Sequence, residues 1–200
     1  MAKIRLTKNE LKKQKDSLKM YRRYLPTLIL KKQQLQSEIR ITETRLRELH
    51  IQMKQLDESF KPWIAVFGET GIFTTEILKI TEIRTSHGNI AGVSIPIFVG
   101  ADFVISSYDL MKTPLWLDKA VQCMKEALLL TLEAEVVEEQ KKRLDKELRT
   151  TTQRVNLFEK IKIPESKQNI KKIQVYLGDQ QTAAVVRGKI AKGRNEKVAQ

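Results

Sequence analysis

The sequence predicts a mainly α fold: a long antiparallel two-helix coiled coil with a small β-hairpin inserted between the helices. Three observations predict it. Apolar residues recur in alternating steps of three and four from Ile4 to Phe60, the repeat of a coiled-coil seam. Between Ile77 and Val99 the pattern changes to β-branched alternation, which reads as strand. From Leu115 to about Lys162 the chain again contains no Gly or Pro. Its apolar residues there step by threes and fours once more.

The first helix is the best defined. Its seam runs through 17 positions from Ile4 to Phe60, of which 13 are apolar, and the register never slips. At 1.5 Å per residue such a helix is on the order of 85 Å long. Pro26 removes a backbone donor and costs about 3 kcal/mol inside a helix. With Leu25 and Leu28 on either side, a kink is expected rather than a stop. The polar seam residues Gln14, Lys32 and Thr42 loosen packing locally; in a coiled coil such residues often fix register or mark where a third partner approaches.

In the middle segment, Ile77–Thr85 reads as a strand, Ser86-His87-Gly88-Asn89 as a turn, and Ile90–Val99 as a second strand. Pro96 cannot donate to a ladder, which places it at an edge or a strand end. Phe103-Val104-Ile105 reads as a short third strand. Trp63 and Trp116 flank the insert and are expected to pack where it meets the helices.

Helix resumes at Pro114, suited to a first helical position. Its seam is Leu117, Val121, Met124 and Leu128, then Leu144, Leu148, Val155 and Phe158. Pro164 should kink it before the period resumes at Ile170, Ile173 and Leu177. The tail beyond Arg187, rich in Lys and Arg, is expected to fray. The organisation is therefore residues 1–60, a first coiled-coil helix; 61–113, the hairpin insert; and 114–200, the second helix with its basic tail. Folded back on itself, this chain is expected to be a rod with a knob at one end.

Composition narrows the function. The 200 residues carry a net charge of +13, unevenly placed: +8 over residues 1–60, −1 over 61–115 and +6 over 116–200. A polyanion or an acidic protein cavity would attract both arms. No apolar stretch approaches the ~18 residues of a membrane span, and no apolar core follows the basic start as in a secretory signal. The single cysteine, Cys123, suits a reducing compartment, so a cytoplasmic location is expected.

Catalytic chemistry is not legible. His50, His87 and Cys123 make no metal-ligand spacing, and Gly68-Glu69-Thr70-Gly71 lacks the Lys-Ser/Thr of a phosphate loop and reads as a turn. Glu133, Glu135, Glu138 and Glu139 read as a solvated helix flank. Neither an enzyme, nor a cofactor, a metal or a small-molecule ligand is expected. A basic coiled coil could instead grip nucleic acid or a membrane surface. Nucleic-acid binding would call for aromatics interleaved with the basic residues, and the arms are nearly free of them, their only tyrosines being Tyr21, Tyr24 and Tyr176.

Two stretches carry a family resemblance. Arg154-Val155-Asn156-Leu157-Phe158-Glu159 is followed by Ile163-Pro164, and Asn89-Ile90-Ala91-Gly92-Val93-Ser94-Ile95-Pro96-Ile97-Phe98 precedes it. In that order, and with Leu6-Thr7-Lys8-Asn9-Glu10-Leu11 at the start, the chain resembles the D subunits of the V-type and archaeal-type rotary ATPases along nearly its whole length. Leu25-Pro26-Thr27 departs from the family pattern.

The resemblance implies a non-catalytic central rotor shaft, serving ATP synthesis or ATP-driven H+ or Na+ transport. It implies termini deep in a hexamer of catalytic A and B subunits, contacts with the small F subunit of the stalk, and a socket subunit on the membrane ring. The complex would be peripheral to the membrane, with no nucleic acid bound and no direct membrane insertion. The expected hexamer-facing basic tip is Arg5, Lys8, Lys12 and Lys15 with Arg187, Lys189, Lys192 and Arg194. Lys13 belongs to the same basic run. Antiparallel pairing is expected to bring the two clusters together. Arg154, Asn156, Glu159 and Pro164 are the shaft motif, and Asn89, Gly92, Pro96 and Phe98 the expected contact with the F subunit.

Overall fold

In the computed structural model, which describes residues 4–62, 77–106, 114 and 116–198, the described residues are 78% helical, with a two-stranded hairpin between long helices. The first helix, α1, spans Lys8–Phe60. Thr7 caps it: the Glu10 N–H donates to Thr7 Oγ1 at 3.3 Å, and Thr7-x-x-Glu10 is the capping-box spacing. Of the 17 seam residues only this cap is exposed; the other 16 are buried or half-buried. Helix continues through Pro26, whose exposed position leaves the carbonyl it orphans open to water.

The hairpin departs from the sequence expectation. Strand β1 is Leu78–Ile90 and strand β2 is Val93–Ile105, paired antiparallel. Ile90 pairs with Val93, so the loop is Ala91-Gly92, both at positive φ (52° and 81°), as a type I′ turn requires. The Gly92 N–H donates to Asn89 Oδ1 at 2.9 Å. Ser86–Asn89, expected as the turn, belongs to β1, and Phe103–Ile105 continues β2 instead of forming a third strand. Local turn propensity loses here to burial: this register carries Ile90, Val93 and Ile95 into an apolar cluster. Register shifts lie between Ile80 and Glu82 and between Arg84 and Thr85, where bulges increase the twist.

The second helix, α2, is Leu117–Asn156. Pro114 stands one turn before it, accepting from the Leu117 N–H at 3.1 Å, rather than at its first position. After Asn156 the chain stays helical through a π-helical turn, Leu157–Lys162, into α3, Ile163–Val198. Pro164 lacks the N–H that would bond the Lys160 carbonyl and crowds it. The preceding turn widens, and the Ile163 N–H bonds the Phe158 carbonyl five residues back. The basic tail, expected to fray, is helical to Val198. The glycine turn after Phe67 and the Trp63 side chain lie outside the described residues.

Two compact units divide the chain, residues 33–149 and residues 1–32 with 150–200. In the first, Leu35 and Ile39 of α1 pack with Leu144 and Leu148 of α2, and further along Leu46, Leu49 and Met53 pack with Leu130, Ala134 and Val137. Rising numbers on α1 meet falling numbers on α2, so the pair is antiparallel. Two cross-helix ion pairs flank the seam, Lys141 Nζ to Glu43 at 2.9 Å and Arg45 Nη2 to Glu133 at 2.6 Å.

Within unit 33–149 the hairpin lies against the coil at both its base and its tip. Its base, Ile77 and Leu78, packs with Trp116, Leu117 and Val121. Its tip, Ile90, Ala91, Val93 and Ile95, covers Leu35, Ile39 and Leu144. The hairpin therefore lies along α2 over 23 residues, about 35 Å of helix. In the other unit Tyr21 meets Phe158 with ring centroids 5.1 Å apart, and Thr151, Val155, Ser166, Asn169 and Ile173 are buried.

Candidate functional site

The surfaces that could serve partners follow from which side chains this packing leaves outside. Among the described residues no group of three His, Cys, Asp or Glu could hold a metal ion, and no helix is long and apolar enough to cross a membrane.

The basic residues of both expected clusters are exposed. Arg5 precedes α1, and Lys8, Lys12 and Lys15 occupy its first two turns with their side chains outward. On α3 the last buried residue is Ile173. Arg187, Lys189, Lys192 and Arg194 stand about 20–30 Å further along, at 1.5 Å per residue, where α3 is exposed at nearly every position from Gly178 to Asn195. The carboxy-terminal cluster shares this exposed stretch of α3 with Val185, Val186 and Ile190.

The shaft motif divides by face. Val155 is buried and Phe158 meets Tyr21, while Arg154, Asn156 and Glu159 are exposed. Pro164, also exposed, accounts for the wide turn beside them. Leu157 and Ile161 of that turn are exposed apolar side chains that the seam does not use.

In the hairpin, the four residues singled out by sequence serve its own anchoring first. Asn89 ties the turn and Gly92 supplies its positive φ. The Pro96 carbonyl accepts from Gln140 Nε2 of α2 at 2.6 Å, and Phe98 is half-buried. A Cβ on Gly92 would meet nothing within 4 Å, so this glycine answers to backbone conformation and not to close approach. Gly88 is the crowded one: a Cβ there would stand 2.7 Å from Ile97 Cδ1. Gly88, the Gln140 anchor and Arg143, whose Nη1 donates to the Ser94 carbonyl at 3.4 Å, were missed in sequence, because they depend on α2 lying alongside β2. Exposed apolar residues sit elsewhere on the hairpin, at Ile83, Ile97, Val99 and Val104.

Electrostatics concentrate on the cross-helix pairs. The hydrogen bond from Lys141, with its charge, holds the Glu43 carboxyl below its ordinary 4.5. The same bond raises Lys141 above 10.5, and the hydrogen bond to Glu133 raises Arg45. These are structural charges, each already matched within the coil.

Comparison with known proteins fits this arrangement. The family model described as the ATP synthase D subunit matches residues 10–193. The chain is 50% identical over 192 residues to the V-type ATP synthase D subunit of Borreliella burgdorferi, covering 96% of this chain and 95% of that one. It is 37% identical over 196 residues to the protein of the same name from Chlamydia pneumoniae, covering 96% and 93%. With that of Chlamydia caviae it shares 35% over 195 residues, covering 94% and 92%.

Proposed function

The chain belongs to the family of ATP synthase D subunits, and from that premise we propose that it is the central rotor shaft of a V-type ATPase, carrying torque between a catalytic A/B hexamer and the ion-translocating membrane ring. Membership in the family makes it one component of a complex. In the proposed role the chain itself is non-catalytic, and nucleotide is bound and cleaved on the hexamer.

One observation carries the reading: α1 and α2 pack as an antiparallel pair through two successive apolar clusters of unit 33–149, with the buried Thr42 between them. Twisting such a pair must shear side chains out of close-packed contact, which costs dispersion energy all along the seam. A single helix has no comparable resistance. The exposed basic surfaces of α1 and α3 supply the hexamer-facing part, which an acidic cavity wall would attract. The hairpin makes one flank of α2 unlike the others, so a turning shaft presents different surfaces to successive catalytic interfaces.

The small F subunit is proposed to bind at the hairpin and adjoining coil, and a socket subunit to join the chain to the ring, leaving it peripheral to the membrane on the cytoplasmic side. Functionally, residues 1–60 and 114–200 are the shaft and 61–113 its insert. Co-expression with candidate A, B and F subunits, followed by size-exclusion chromatography and native mass measurement, tests the assignment. A complex with one copy of this chain per hexamer is expected. Failure to form any complex overturns the rotor reading.

A further inference from the structure

Past the wide turn of Leu157–Lys162 the chain covers different positions from those its own repeat calls for. In the unit of residues 1–32 and 150–200, the covered residues ahead of and within the turn step by four, three and four: Thr151, Val155, Phe158 and Lys162. Carried on unbroken, the alternation calls next for Glu165, Asn169, Lys172 and Tyr176. Asn169 is buried, but the other three are exposed. Ser166, Ile173 and Leu177, each one residue later, are covered in their place. The repeat on this strand of the coil thus holds one surplus residue.

The facing helix has no matching irregularity. Leu11, Gln14, Leu18, Tyr21, Leu25 and Leu28 of α1 keep to threes and fours and are all half-buried, and Tyr21 meets Phe158 at the start of the turn. A π-helical turn holds about one residue more than an α turn, which at 3.6 residues per turn is worth about 100° of rotation. The wide turn takes up the surplus residue and turns α3 so that Ile173 is buried and Lys172 is not.

Packing beyond the turn resists rotation only weakly. Ile173 is the last buried residue of α3, and from Gly178 to Asn195 the helix is exposed at nearly every position. What holds the wide turn is Pro164, which cannot bond the Lys160 carbonyl. Val186, Ile190 and Arg194, spaced by four, line one side of the exposed stretch, with Arg187 beside them. Relaxing the turn to α geometry would swing that side about 100° around the helix axis.

We propose that Pro164 is a positioning residue: by holding the wide turn it sets the rotational phase of α3, and so the direction in which Val186, Arg187, Ile190 and Arg194 meet the A/B hexamer. The proposal rests on the rotor reading above.

Cysteine labelling of the free chain, in a Cys123→Ala background, reads the phase. With Pro164 in place, the Lys172→Cys variant should react on the order of a hundredfold faster than the Ile173→Cys variant, since a covered thiol reacts only through local opening. Adding Pro164→Ala should reverse that order. Lys160 is an exposed residue of the turn, and deleting it removes the surplus. Phe158, Ile163, Ser166, Ile170, Ile173 and Leu177 then alternate by fours and threes in plain α geometry. Pro164→Ala with Lys160 deleted should therefore restore the original labelling order. In competitive co-expression with A, B and F subunits, Pro164→Ala should enter the assembly about tenfold less than wild type. The added deletion should return it to the wild-type level, a rescue that mere loss of a structural residue would not allow.

If the Lys172→Cys variant remains the faster one beside Pro164→Ala, Pro164 does not set the phase and the proposal is wrong. If the order reverses but Pro164→Ala assembles like wild type, the phase does not serve the hexamer; the proposal falls and the rotor reading stands. If the wild-type chain enters no assembly, both fall.

Discussion

Leu144 and Leu30 show how differently two leucines of one coil are used. Leu144 is fully buried under the hairpin tip, and Leu30 is 65% exposed. Leu144→Ala should cost about 2–5 kcal/mol, through lost burial and the cavity left between α1, α2 and Ile95. Leu30→Ala should stay within about 0.5 kcal/mol. Urea unfolding of the two variants checks the contrast, and equal losses would mean that the tip does not cover the seam. At Gly92 the φ of 81° makes any side chain strained, so Gly92→Val should destabilise the turn, by about 1–2 kcal/mol, although the space is open. The Glu43–Lys141 pair gives a pH signature. Glu43 is lowered from 4.5, so its contribution is present above that value and is lost as pH falls through the lower folded-state value. Lys141 is raised from 10.5, so its contribution is present below 10.5 and is lost only at higher pH. The stability difference between wild type and Glu43→Gln should therefore be flat from pH 6 to 9 and shrink toward pH 3. A difference unchanged at pH 3 would show that the pair does not form in solution.

At the level of the elements, helices were legible and the hairpin only partly so. A seam of 17 positions announces α1 because burial repeats with the helix period, and 16 of those positions are indeed covered. The hairpin register depends on a partner distant in sequence. Ser86–Asn89 looks like a turn by composition, but Ile90, Val93 and Ile95 reach Leu35 and Leu144 only if the turn falls at Ala91-Gly92. The anchoring of β2 by Gln140 and Arg143 had no signal at all in the sequence, since neither side chain differs in type from its solvated neighbours. The basic tip was legible as charge but not as geometry, because charge says nothing of where α3 stops being packed. At Pro164, where a kink is expected from the sequence, the helix runs on through a wide turn over Leu157–Lys162. Pro164→Ala restores the missing donor to the Lys160 carbonyl. It should draw that turn back to α geometry and raise stability by about 1–3 kcal/mol. Backbone chemical shifts over 157–162 and the thermal midpoint report the two effects, and a midpoint that fell would mean that the wide turn is held by packing instead of by the proline.

Across the whole molecule the exposed basic residues form two sets in sequence, Arg5–Lys15 and Arg187–Arg194, and a charge experiment shows whether they serve one surface or two. Single Lys→Ala changes at exposed positions should each alter assembly energetics by under about 1 kcal/mol. Reversing Arg187, Lys189, Lys192 and Arg194 together should slow assembly with the A/B hexamer at low salt, with the defect shrinking as ionic strength rises. Reversing Arg5, Lys8, Lys12 and Lys15 as well should deepen that defect, and near-additivity of the two sets would show that they meet separate surfaces. A strong non-additivity would bring the clusters together again. The exposed run of α3 has a practical reading as well. Trypsin cuts after Lys and Arg wherever a segment can open locally, and beyond Leu177 little but helical hydrogen bonding resists opening. The free chain should thus be shortened from its carboxy-terminal side first, at Arg187, Lys189, Lys192 and Arg194, while α2 stays whole. Once a partner encloses that helix, the same bonds should survive, and the digestion ladder becomes a stopwatch for how fast the shaft is seated.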